Sequence, residues 1–283
     1  MARSAPLASG DARARVGRRP DRSVSHAAAA ALGAIAGATI FIGLPVGRIR
    51  GVSRTIQGIL NAIATGVLIF LLWDILSHAS EPVETALVAL RRGDGGFFTL
   101  VAIFAAGIGF GLLGLVYFNG RLFGRVKNAP PAPPRTLAMM IATGLGLHNL
   151  SEGLAIGQSA ATGAVAFAVV LVIGFALHNI TEGFGIAAPL ALDTPRPSWG
   201  FLLVAGLIGG GPTFLGTVIG YVFTSTYVYI LFLALAAGAL LYVVNEMFHL
   251  GRRLNSPAAM GWGLLFGFLL GYATDLFLTY NAA

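Results

Sequence analysis

Two short stretches decide how this chain is read. The first is LHNLSEGLAIG, Leu147–Gly157, and the second is LHNITEGFGIA, Leu177–Ala187. Both lie inside runs apolar enough to cross a membrane, where ionisable side chains are costly and usually functional. In each copy a histidine precedes a glutamate by four residues, His148 with Glu152 and His178 with Glu182. On a helix that spacing puts both side chains on one face, one turn apart. Asn149 and Asn179 lie one residue round, on the flank of the same face. If the two helices pack antiparallel, two imidazoles, two carboxylates and two carboxamides converge. Gly153 and Gly183 follow the glutamates and allow close backbone approach. Ser151 and Thr181 can bond back to the preceding turn and loosen the helix there.

Composition sets the class around these motifs. Of 283 residues, 56% are hydrophobic and only 10% charged, with a mean hydropathy of +0.81. Soluble domains carry about 25% charged residues, so the chain is read as an all-α integral membrane protein. There are no cysteines, which leaves nitrogen and oxygen to hold any metal; imidazole with carboxylate suits zinc, iron, manganese, cobalt or nickel. The net charge is +7, but the basic residues sit in the N-terminal tail and in loops, which argues against nucleic acid as a partner.

Eight apolar segments follow one another, at about 27–47, 55–78, 96–118, 136–158, 163–190, 199–223, 227–249 and 258–279. Each is near the roughly 20 residues that cross the hydrocarbon layer. Residues 1–26 read as a disordered basic tail and 27–283 as one transmembrane domain, with 119–135 a proline-rich loop. Loops after spans one, three, five and seven carry Arg48, Arg50, Arg54, Arg121, Arg125, Lys127, Arg135, Arg196, Arg252 and Arg253, against Arg91 and Arg92 on the other side. By the positive-inside rule the first set is cytoplasmic and both termini lie outside; the basic tail pulls the other way.

Outside spans four and five the ionisable groups at depth are few. Asp74 and His78 lie toward the outer end of span two, suggesting an access relay with Glu81. Glu246 and His249 lie in span seven and Asp275 in span eight. Glu246 suits the pathway or a structural hydrogen bond equally.

The repeated H-N-x-x-E-G on spans four and five resembles the signature of the ZIP family of divalent-metal transporters, and the eight-span layout is similar too, over essentially the whole chain from about residue 27. The resemblance implies a binuclear site halfway along the pathway. His148, Glu152, His178 and Glu182 would form the primary position, and Asn149 and Asn179 would lean to a second, with the glutamates shared. It also implies import of a divalent cation, zinc first and iron or manganese next, across the cell membrane, no enzymatic activity, no prosthetic group and a homodimer. The chain departs from the pattern at Ser151, where proline is common, and at Asn179, where aspartate is common. Thr213 stands about where many members carry a span-six glutamate. Negative charge is thereby lost from the second position, so one strong site and a weak or absent second one are expected. The loop after span three has no histidine to sense metal.

Other functions fit less well. A metalloprotease wants H-E-x-x-H, with a glutamate beside the histidine to activate water; asparagine cannot act as that base. A retinal protein needs a lysine at depth, and the only lysine is Lys127, in a loop. A metal-dependent hydrolase and a non-transporting metal sensor remain as alternatives.

Overall fold

The computed structural model describes residues 24–49, 53–93, 96–123, 133–162, 165–193, 195–223, 225–253 and 257–282. The basic tail up to residue 23 and most of the proline-rich loop, 124–132, lie outside the described residues. Nine α-helices are described, with no strand among these residues: α1 His26–Ala38, α2 Ile40–Gly43, α3 Arg54–Leu90, α4 Phe97–Phe123, α5 Pro134–Ala161, α6 Val165–Ala187, α7 Trp199–Val222, α8 Thr226–Arg253 and α9 Pro257–Ala282. Helices α1 and α2, with a 3-10 turn at Leu44–Arg48, make up the first span.

Local chemistry sets the ends. Ser25, Ser53 and Ser198 each stand before a helix and accept a backbone N–H three residues on, satisfying a donor the helix leaves free. The first span breaks at Thr39, whose hydroxyl turns back to the carbonyl of Ala36 at 2.6 Å. Pro134 belongs to α5. The proline-rich loop expected over 119–135 is shorter at both ends: α4 runs to Phe123 and α5 begins at Pro134, the last proline of the cluster, which occupies the first helical turn, where the missing N–H costs nothing. Helix α3 runs 37 residues, roughly 55 Å at 1.5 Å per residue, well past the expected limit at 78. It closes at Gly93, whose φ of +92° suits glycine.

Seven helical stretches are long and apolar enough to cross a membrane. Helix α5 is not among them. Its 28 residues are long enough, but Arg135, His148, Asn149, Glu152 and Gln158 dilute its apolar character. The bundle shields it instead. Helix α5 packs on α6, α7 and α8, most extensively on α7, and His148, Asn149, Ser151 and Glu152 are all buried.

The helices sort into two groups. Helices α1, α2, α5, α6 and α7 pack together, and α3, α4, α8 and α9 form the other set, with α3 on α9 and α4 on α8. The groups meet where α5 packs on α8, and where α6 touches α3 and α9. Within the first group backbones approach closely. A Cβ on Gly153 would lie 2.2 Å from the carbonyl oxygen of Thr213, and one on Gly183 would lie 2.0 Å from that of Ile40.

One end of the bundle is tied by arginines. The Arg135 Nε donates to Asp193 at 2.6 Å and its Nη2 to the Pro195 carbonyl at 2.8 Å. Arg48 donates to the carbonyl of Pro197 and lies over the ring of Trp199, 4.6 Å from its centre. These contacts gather the end of the first span, the start of α5 and the α6–α7 connection at a single end.

Candidate metal site

The two motifs meet. His148 and Glu152 on α5 face His178 on α6, the imidazole centres being 6.0 Å apart. One donor atom from each of these three residues lies within 4.8 Å of the others. His148 Nε2 is 3.2 Å from Glu152 Oε1. All three side chains are buried, yet both nitrogens of His148, Glu152 Oε2 and His178 Nε2 have no hydrogen-bond partner. Buried polar atoms are normally hydrogen-bonded, and a set without such bonds on converging helices could hold a ligand between them.

Glu182 is set back from this trio. It is fully buried, with Oε1 3.9 Å from His178 Nε2, while Oε2 accepts the Asn149 amide at 2.7 Å. The same amide nitrogen also donates to the carbonyl of Gly209 on α7 at 3.0 Å. Asn179 donates to the carbonyl of Ala36 on α1 at 2.9 Å. Both carboxamide oxygens remain unpartnered, as does the hydroxyl of fully buried Thr213. Ser151 and Thr181 bond back to the carbonyls of His148 and His178, at 2.5 and 2.6 Å.

A cavity of about 230 Å³ reaches His148 and Glu152 of the trio. Its lining includes Asp74 and His78 of α3, His148 and Glu152 of α5, and Tyr229 of α8. A second cavity of about 310 Å³, between Pro82, Gln158 and Thr226, shares Ala155 and Tyr229 with the first. Together they run from the trio toward the end of the bundle opposite the arginines. His78 Nδ1 stands 3.3 Å from the Asp74 carboxylate. Glu81 is exposed one turn on, Glu246 is half-buried away from the cavity, and His249 is exposed.

Tyr229 and the backbone acceptors of Ala36 and Gly209 are the contributors that the motifs do not reveal. A carbonyl has no residue signature, and Tyr229 joins the site only through the packing of α8 on α5.

These features define a helical membrane protein with a buried cluster of nitrogen and oxygen donors that could hold a metal ion. A family model described as the ZIP zinc transporter matches residues 126–274. The chain belongs to the ZIP family of metal transporters, whose members carry divalent cations rather than catalyse reactions. The match takes in α5 to α8 and most of α9, a narrower reach than the resemblance from residue 27, with the first three spans outside it. No curated protein matches the chain.

Proposed function

We propose that this protein imports a divalent cation, zinc before iron or manganese, into the cytoplasm through the site built by His148, Glu152 and His178, with Glu182 beside it. The carrying observation is the trio itself: three buried residues that each offer a donor atom within 4.8 Å of the others, with buried nitrogens and a carboxylate oxygen that make no hydrogen bond, two of the three lining a cavity. A cation at that depth needs nitrogen and oxygen ligands in place of its water shell, and Glu152 and Glu182 offset its two positive charges. Asp74 and His78 line the approach and offer an earlier landing point. The arginine-tied end is cytoplasmic on this reading, and the cavity faces the outside.

The division into two helix groups supports a mechanism. Every proposed ligand lies on α5 or α6, whereas the cavity's facing wall comes from α3 and α8. A shift of the ligand-bearing group against that wall would carry the bound ion from one side to the other, as in alternating access. Asn149 and Asn179 tie the ligand helices to α7 and α1 of the same group, so the site would travel as a unit. A homodimer belongs to this reading through the family resemblance alone.

The test is uptake of zinc, iron, manganese, cobalt and cadmium into vesicles holding the purified protein, beside Glu152→Ala and Glu182→Ala. Selective flux lost in each folded variant supports the assignment. Unchanged flux in either variant sinks it. Metal binding with no flux in the native chain would turn the reading to a sensor, and metal-dependent turnover of a lipid or amide to a hydrolase.

A further inference from the structure

We infer that Ser151 and Thr181 are positioning residues that let the cation site accept divalent ions of different radius, by loosening the turn that joins each motif histidine to its glutamate. The observation is which carbonyl each helical hydroxyl takes. The hydroxyls of Thr65, Ser77, Thr143 and Thr217 donate to the carbonyl four residues back. Those of Ser80, Ser151, Thr181 and Thr274 donate to the carbonyl three back, as do those of Thr39 and Thr162 at helix ends. Ser80, Ser151, Thr181 and Thr274 each stand directly before an acid, Glu81, Glu152, Glu182 and Asp275, and none of the four that reach four back does.

The offset decides which backbone bond is disturbed. In an α-helix each N–H donates to the carbonyl four residues back. A hydroxyl reaching four back shares the carbonyl that its own N–H uses. A hydroxyl reaching three back shares the carbonyl that serves the next residue's N–H. On α5 Ser151 Oγ takes the His148 carbonyl at 2.5 Å, and the N–H that competes for it is that of Glu152. On α6 Thr181 Oγ1 takes the His178 carbonyl at 2.6 Å, in competition with the N–H of Glu182. Each disturbed turn therefore runs from a histidine of the motif to its glutamate. Side-chain bonds of this kind compete with the helix ladder and often bend the helix. The two turns also hold their pairs differently: Nε2 to Oε1 is 3.2 Å between His148 and Glu152 and 3.9 Å between His178 and Glu182. The four-residue step alone does not set the separation of the donors. A turn that yields lets them close on a small ion or part for a larger one. The inference rests on the reading of this site as the cargo site.

Binding of zinc, manganese and cadmium to the purified full-length protein, beside Ser151→Ala and Thr181→Val, tests this. Manganese and cadmium ions are larger than zinc. Each substitution removes a hydroxyl and stiffens one turn, so affinity for the two larger ions falls relative to zinc by about three- to tenfold, the scale of a single hydrogen bond. Thr181→Ser keeps the hydroxyl and keeps the native ranking. The native ranking in both hydroxyl-free variants overturns the proposal, as does a loss shared equally by all three metals or a ranking altered as much in Thr181→Ser as in Thr181→Val. Amide hydrogen exchange of the metal-free protein gives a readout that needs no cargo. The Glu152 N–H exchanges more slowly in Ser151→Ala and the Glu182 N–H more slowly in Thr181→Val, because each regains its carbonyl; exchange at native rates in both overturns the proposal as well. A native chain that binds none of the three metals, yet shows this hydroxyl-dependent exchange, sinks the reading of the cargo site and leaves the shared carbonyls standing.

Discussion

Gly153→Ala puts the close packing of α5 on α7 to a quantitative test. The added methyl carbon would lie 2.2 Å from the Thr213 carbonyl oxygen and 2.8 Å from the Thr217 nitrogen. Both are backbone atoms of a packed helix and cannot swing aside as a flexible side chain would. Ordinary contact begins near 3.4 Å, so the helices must part by about 1.2 Å (3.4 less 2.2). Overpacking of this kind costs about 1–3 kcal/mol. A shift of that size also takes the 3.0 Å bond from Asn149 to Gly209 toward lengths at which hydrogen bonding fails. Gly211→Ala is the matched control. It makes the same change in α7, with nothing within 4 Å of the new carbon, and alanine is favoured over glycine in a helix by up to about 1 kcal/mol. The two variants should move in opposite directions, separated by about 1–4 kcal/mol, in thermal melting of the purified proteins. Zinc uptake should fall in Gly153→Ala and persist in Gly211→Ala. Indistinguishable melting curves, with native uptake in both, would refute the claim that backbone contact at Gly153 positions the site.

Acidification should weaken divalent binding and uptake, because the histidines and glutamates must shed protons to ligate; metal affinity measured across a pH series should fall as pH falls, and an affinity that rises toward acid would contradict the ligand set. Tyr229→Trp enlarges the residue shared by the two cavities and should lower the uptake rate while zinc affinity of the purified protein stays the same; an unchanged rate would mean that ions do not pass Tyr229. Arg135→Ala removes an ion pair whose arginine side is 43% exposed, so melting should show a loss of about 1 kcal/mol or less from that pair, and a loss of several would mean that the carbonyl bonds to the α6–α7 connection dominate.

Much of the site was legible because its spacing is helical. A step of four residues from His148 to Glu152, and again from His178 to Glu182, predicts shared faces, and the structure brings one donor atom each of His148, Glu152 and His178 within 4.8 Å of one another. The glycines after each glutamate predicted close approach, found at Gly153 and Gly183. The different posture of Glu182 was not legible. It depends on Asn149, whose amide is positioned by a carbonyl of α7, and no pattern along α5 or α6 specifies that neighbour. Helix limits were misjudged for a physical reason as well. Apolar character reports where lipid ends, and α3 continues as a helix past Glu81, Pro82 and Glu84 until the turn at 91–93. Helix α5 shows the converse: its polar residues depress its hydropathy because neighbouring helices, not lipid, surround them.

The paired motifs are near copies, yet the structure breaks their symmetry. Asn149 turns to Glu182 and α7, whereas Asn179 turns to α1, and only Glu152 of the two glutamates joins both imidazoles. Equivalent letters therefore carry inequivalent duties. Exchanging the six-residue words between α5 and α6 would preserve composition, spacing and nearly every side chain, and would change only Ser151 for Thr181 and Leu150 for Ile180. Any phenotype of such an exchange would report two side chains alone, whereas an alanine at Asn149 and one at Asn179 would have separate consequences, because the identity of each copy resides in the helix behind it.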